Sequence, residues 1–518
     1  MSTTLTETRQ VRGQVELTDP AAVADSRYAN PELLPVPLSK RTWTTYNYIA
    51  IWMGMAHAIS SYLLASGLIV LGMSWLQAFL TITVANLLVL IPMLLNSHAG
   101  TKYGIPFPVF ARAFYGVRGA NLAAVLRALV ACGWFGIQTW IGGQAIYTVV
   151  GRLAGAGWTN ASSFWGQPWT LWVSFAAFWL VQMALIWRGI NALRRFENWA
   201  APLVMLAFTA LLVYMLVKAG GIGPILHQSG SLGWGSKFWV VFWPSLMAMI
   251  AYWATLSLNM PDFTRFSKGQ KQQFWGQVLG LPTTMSYIAI LSIIVTSAAT
   301  VVYHQTIWDP VALTTKFSST AVVVIGLIMV ILATMSVNVA ANVVSPSYDF
   351  SNTAPRFVSF RTGGLITGVI GILIQPWRLL SNPHVYIYTW LGFYGGLLGT
   401  VAGVLIAGYW VRWRTSLSLG ALYTAGGRYW FAGGWNWRAV AALAVGALLA
   451  VGGAWSAPGQ CPFPQDGLIP ALKPLYDYSW VVGLGAGFVV YLLLSLPVFG
   501  RPDALRDEDD LAPDVARG

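Results

Sequence analysis

Apolar residues along this chain neither alternate nor line one face of short helices. They run almost unbroken for about 20 residues at a time, separated by short polar stretches. A helix of that length crosses roughly 30 Å of hydrocarbon, so the pattern predicts an all-α integral membrane protein. Twelve such runs are found, near 47–71, 75–95, 120–150, 170–187, 199–217, 239–259, 278–303, 319–344, 363–376, 386–410, 437–453 and 478–499. The third is long and the ninth short. Residues 1–46 form a polar N-terminal segment without the charged-then-apolar pattern of a cleaved signal. Residues 500–518 form an acidic tail.

Three runs carry polar islands. Span 1 has GMAHAISSY (Gly54–Tyr62) at its centre, and span 6, five spans later, has AYWATLSLN (Ala251–Asn259). Transporters that bind at the membrane midplane unwind one helix in each of two inverted repeats. The pair therefore fits a five-plus-five arrangement, with 47–217 as the first repeat, 218–410 as the second, and two appended spans at 411–499. Neither island contains proline, so ordinary small-residue packing fits as well. Span 8 reads ATMSVNVAAN, where Ala333, Ser336 and Ala340 make a small-residue stripe and Asn338 and Asn342 stand four apart. Two unpaired amides there would cost several kcal/mol, so they must meet another helix, an ion or a ligand.

Span 3 contains ALVACGWFGIQTWIGG (Ala128–Gly143), in which Trp134 and Gln138 share a helix face. An indole offers a stacking surface and a carboxamide offers a donor beside an acceptor. That suits a planar, amide-rich ligand. Packing and interhelical hydrogen bonding would use the same residues.

Composition sharpens the reading. The 518 residues are 56% hydrophobic and 9% charged, against about a quarter charged in soluble domains. The formal charge of +13 is spread through the loops, which argues for orientation and against nucleic-acid binding. With the N-terminus inside, inner loops hold fifteen Lys and Arg and outer loops six. The positive-inside bias thus places both termini in the cytoplasm of a cell-membrane protein. Cys132 and Cys461 are not expected to pair. The 17 acidic residues fall in termini, loops or span ends, which disfavours a mid-membrane acid relay. His57, inside span 1, is the titratable group that could carry a proton, or it could simply donate to a carbonyl. Arg127, near the inner end of span 3, is expected to snorkel. No zinc-protease, phosphate-loop or paired-aspartate motif supports an enzyme, and no cofactor is implied.

Four stretches together resemble the nucleobase:cation symporter-1 family of uracil, cytosine, allantoin and hydantoin permeases: NSHAGTKYGIPFPVFARAFYGVRGAN (96–121), CGWFGIQTW (132–140), NMPDFTRF (259–266) and NVAANVVSPSYDFSN (338–352). The resemblance runs from about Leu33 to Trp410. It implies a leucine-transporter-type inverted repeat and cation-coupled import of a planar heterocycle by alternating access, in a protein that works as a monomer. It also implies that Trp134 and Trp253 flank the substrate ring, that Gln138 and Asn342 hydrogen-bond it, and that Ser60 lines the site. The family's sodium site maps onto Ala56, Ile59, Ala333 and Ser336. Val337 stands where a threonine is expected, and valine offers no ligand to a hard cation. The coupling ion is therefore Na+ or H+. An amino-acid or polyamine carrier of the same fold is the rival within transport, although the GWFGIQ motif offers no anchor for an α-carboxylate. A membrane enzyme is the rival outside it.

Overall fold

The computed structural model describes residues 8–188, 190–228 and 230–496, apart from the side chains of residues 22, 190–202 and 340. The tail at 500–518 lies outside the described residues. Each of the twelve apolar runs falls on a helix. In chain order these are α1 (Thr45–Ala56) with α2 (Ile59–Val70), α3 (Trp75–Tyr103), α5 (Ala120–Ala154), α6 (Trp169–Arg188), α7 (Ile190–Lys218), α8 (Ser236–Tyr252) with α9 (Ala254–Asn259), α10 (Gln270–Tyr303) and α11 (Thr320–Asn342). They continue with α13 (Phe360–Leu373), α14 (Gly392–Ile406), α15 (Trp437–Val451) and α16 (Ser479–Ser495). Between them lie α4 (Phe107–Tyr115) and α12 (Val344–Thr353). Wide π-helical turns, Val385–Leu391 and Ala407–Arg412, flank α14. Among the described residues, six helical stretches are individually long and apolar enough to cross a bilayer, and two bent pairs, α1 with α2 and Pro470–Tyr476 with α16, bring the number to eight.

Both islands prove to be breaks. Between α1 and α2 the chain bends by 60°, with His57 at φ −80°, ψ 58° and Ala58 extended. The cause is local. The His57 ring contacts the Met53 carbonyl through Nδ1, which is the acceptor the backbone N–H of residue 57 would use in a continuing helix. Between α8 and α9 the break falls at Trp253 (φ −100°, ψ 6°). No proline is needed at either place.

Helix α5 is the hub, packed against α6, α11, α12 and α13. Glycines allow backbones to touch there: a Cβ on Gly136 would lie 2.2 Å from the Gly371 carbonyl oxygen, and one on Gly142 would lie 2.2 Å from Phe178. This is the close approach that small residues give membrane helices.

Two sequence expectations about charge need correction. Arg127 does not snorkel: it is buried and pairs with buried Asp349 at 3.1 Å. A counter-charge within reach removes the need to extend towards water. Asp262 is buried as well and accepts the Phe107 N–H at 2.8 Å, so two carboxylates that read as loop or span-end residues sit inside the protein. The basic residues of the same motifs also have structural work. Arg112 is buried and donates to Asn352 Oδ1 (2.6 and 3.1 Å) and to the Leu422 and Tyr28 carbonyls. Within the N-terminal segment, β1 (Thr8–Val11) and β2 (Gln14–Leu17) form a hairpin. Gln14 fastens it to the Thr101 and Ser267 carbonyls. Cys132 and Cys461 are both free thiols.

Candidate functional site

The two breaks and α5 meet at one polar point in an otherwise apolar interior. On α5, Gln138 is buried and its amide nitrogen donates to Ser60 Oγ at 3.0 Å. Ser60 and Ser61, at the start of α2, each share a hydrogen bond with the Tyr252 hydroxyl at 2.8 Å. Tyr252 ends α8, one residue before the break. A chain of amide, hydroxyl, phenol and hydroxyl thus joins spans 3, 1 and 6. The Gln138 carbonyl oxygen is buried and has no partner, a cost of about 1–3 kcal/mol in an unliganded protein. An acceptor left in that state is what a ring N–H would satisfy.

Trp134, one turn earlier on the same face, is surrounded by aromatic edges. Tyr252 lies 5.1 Å from it, Tyr386 6.1 Å, Trp390 6.3 Å and Tyr394 6.3 Å, all T-shaped. Its indole nitrogen donates to the Tyr394 hydroxyl at 3.2 Å. From the far side, the Tyr386 hydroxyl donates to the Ser60 carbonyl at 3.1 Å. The site is closed over by its own side chains.

Of the residues expected at the site, Trp134, Gln138 and Ser60 come together. Trp253 is buried but packs edge-on against Trp52 at 5.1 Å and Tyr252 at 4.8 Å. Its indole nitrogen is unpartnered. Asn342 reaches span 3 indirectly: it donates to Asn338 at 2.9 Å, and Asn338 donates to Gln182 Oε1 at 2.6 Å and to the Phe135 carbonyl at 3.1 Å. Asn338 is thereby occupied in holding helices α5, α6 and α11 together, while Asn342 stands at the edge of that network. Sequence reasoning missed Tyr252, Ser61, Tyr386, Trp390 and Tyr394. The last three recur every four residues in VYIYTWLGFY, a stripe that was readable. Tyr252 was not, because the break resets the helical register beside it.

The residues that could cradle a cation are Ala56, Ile59, Ala333 and Ser336, all buried where α1 and α2 approach α11. They fit a cation imperfectly. The Ala56 carbonyl already accepts the Ala58 N–H at 2.9 Å, and buried Val337 brings a methyl where a second hydroxyl would help. His57 stands at the same bend with its Nε2 buried and unpartnered. An apolar cavity of about 470 Å³, lined by Ile59, Phe208, Tyr214, Met329 and Ala333 among others, lies beside this region and away from the Trp134–Gln138 face. Its walls are mainly apolar, with Tyr214 and Thr314 the hydroxyl-bearing side chains among them.

Residues 35–483 match the family described as permease for cytosine/purines, uracil, thiamine, allantoin. The chain is 40% identical to an allantoin permease of Bacillus subtilis over 475 residues, covering 90% of this chain and 93% of that one. It is 37% identical to a purine-uracil permease of Arabidopsis thaliana over 474 residues, covering 91% and 78%. In fold it is similar to Mhp1, a nucleobase-cation-symport-1 family transporter solved closed with bromovinylhydantoin bound. The TM-score is 0.74 at 24% identity, covering 93% of this chain and 98% of that one.

Proposed function

The chain belongs to the family of permeases for cytosine/purines, uracil, thiamine and allantoin, and on that footing we propose that it imports a nucleobase or cyclic ureide of the uracil, allantoin, hydantoin or cytosine class by cation symport. The fold is the leucine-transporter type, and the family is one of permeases rather than enzymes. The proposal places the protein in the cell membrane as a monomer, with twelve crossings and both termini cytoplasmic, in keeping with the loop charges.

One observation carries the substrate assignment. Gln138 holds a buried, unpartnered carbonyl oxygen beside the Trp134 indole, where both broken helices meet. A ring lying on Trp134 would give that oxygen an N–H and take the Gln138 amide from Ser60. Tyr252 flanks the ring from span 6, with Trp253, expected there from the resemblance, packed behind it, and Asn342 reads a further edge. Discrimination is large in such a site because a wrong ring leaves buried amides unpaired. The amide network and aromatic walls offer no cation to hold an α-carboxylate, which argues against an amino-acid substrate.

The coupling ion we favour is the proton. The Ala56 carbonyl is already engaged and Val337 withholds a ligand, so the sodium cradle of Ala56, Ile59, Ala333 and Ser336 is weak. His57, at the hinge of span 1, is the proton carrier in this reading. The test is uptake of labelled allantoin, uracil, cytosine and hydantoin into cells expressing the chain, repeated without sodium and with a protonophore. Uptake of one of these rings that survives sodium removal and collapses with the protonophore is expected. Strict sodium dependence refutes the coupling assignment, and failure to take up any of the four refutes the substrate class.

A further inference from the structure

The segment between α15 and α16 is long for a turn between two antiparallel helices, and the substrate reading gives it no role. It is ordered and anchored at both ends. Ile469 N–H donates to the Gly452 carbonyl at 2.8 Å and Leu468 N–H to the Ala454 carbonyl at 3.0 Å. From there the chain turns onto the π-helical start of span 10. The Tyr476 hydroxyl donates to the Tyr388 carbonyl at 2.7 Å, and the Ser479 hydroxyl donates to the Gly392 carbonyl at 2.9 Å. Gln460 donates to Asn382 Oδ1 at 3.3 Å at the N-terminal end of the same turn. Trp455 stacks on the Tyr388 ring with centroids 6.3 Å apart. Tyr476 and Ser479 are both buried, so these bonds do not compete with bulk water.

The placement matters because of what the same turn carries on its other face. Tyr386, Trp390 and Tyr394 line up on the side towards Trp134, and Tyr386 also bonds the Ser60 carbonyl in the span 1 break. A π-helical turn is a local distortion of the α-helix, common at functional sites. Here the carbonyls of Tyr388, within the turn, and Gly392, directly after it, have found hydroxyl partners supplied by a different part of the chain. Gly392 permits this: a Cβ there would lie 3.1 Å from the Tyr476 hydroxyl oxygen.

We infer that residues 455–479 form a strap that holds the π-helical turn of span 10 in position, with Tyr476 and Ser479 as positioning residues for the aromatic cover of the Trp134–Gln138 site. The inference rests on that face being the substrate site. The strap lies on the side that the loop charges assign to the outside, so it sets how readily the site opens to external substrate.

Hydrogen exchange on purified protein in nanodiscs reads the strap without any ligand. In Y476F/S479A the amides of Val385–Leu391 should exchange about five- to twentyfold faster, as loss of one or two ordinary hydrogen bonds implies, with α5 and α6 unchanged. Gly392→Ala, acting from the other side of the same contact, should reproduce the effect. In uptake of labelled allantoin and uracil, Y476F/S479A should raise the half-saturating concentration several-fold while the maximal rate does not fall. Unchanged exchange at Val385–Leu391, or equal acceleration in every helix, overturns the strap. Accelerated local exchange in a protein whose wild type imports none of allantoin, uracil, cytosine and hydantoin supports the strap and removes the substrate reading instead.

Discussion

Gln138→Met separates a substrate-reading amide from an interhelical rivet. Methionine keeps nearly the same volume and flexibility, so the helix packing around α5 should survive. The substitution removes two features with opposite signs. It deletes the hydrogen bond from the Gln138 amide to Ser60 Oγ at 3.0 Å, a loss of about 1 kcal/mol. It also deletes a buried carbonyl oxygen without a partner, which relieves about 1–3 kcal/mol. The unliganded variant should therefore be as stable as the wild type or slightly more so. Binding should move the other way. A ring whose N–H and C=O face thioether instead of amide loses about 3 kcal/mol, or roughly a hundredfold in affinity. The assay is paired: thermal unfolding in detergent, and uptake with its half-saturating concentration. If Q138M melts several degrees lower while uptake is untouched, Gln138 is a rivet and the substrate assignment is wrong.

Three further outcomes follow from the geometry. Val337→Thr adds the hydroxyl that the span 8 cradle lacks; sodium should stimulate uptake of the transported ring by about an order of magnitude more than in the wild type, and identical sodium titrations would remove the cradle from consideration. Threonine there can also bond the Ala333 carbonyl one turn back, as Thr334 bonds the Val330 carbonyl, so folding should be unaffected. Asp349→Asn leaves Arg127 without its hydrogen-bonded carboxylate, Asp262 being the other buried carboxylate that feels its charge, and should cost about 3–5 kcal/mol, seen as a large fall in unfolding temperature that R127M/D349L restores only in part. Asp309, outside the spans, caps the short helix Pro310–Thr314, and burial pushes its carboxyl up to about 6. The folded protein therefore holds that proton more tightly than the unfolded chain. Stability contributed there falls as pH rises from about 4 to 6, and Asp309→Asn should flatten that part of the unfolding-temperature profile.

The linear order of residues was enough to place the helices. Runs of about 20 apolar residues have one stable answer in a bilayer, since every backbone polar group must be paired within its own segment. The islands at Gly54–Tyr62 and Ala251–Asn259 were readable for the same reason, because small and polar residues at the centre of a span need partners. Trp134 and Gln138 could be singled out from their shared face, which packing would use equally, and it was the resemblance that assigned them, with Ser60, to the substrate. What required the tertiary structure was everything downstream of a break. At Trp253 the helix stops and restarts, so periodicity could not tell whether Tyr252 or Trp253 faces Trp134, and the geometry puts Tyr252 there. Buried charge was equally hidden. Arg127 and Asp349 are separated by more than 200 residues, and nothing local reveals that each is the other's counter-ion. The bonds from Tyr476 and Ser479 to the π-helical turn of span 10 join segments nearly 90 residues apart. Hydropathy reports which segments leave water, but it carries no information about which of them meet.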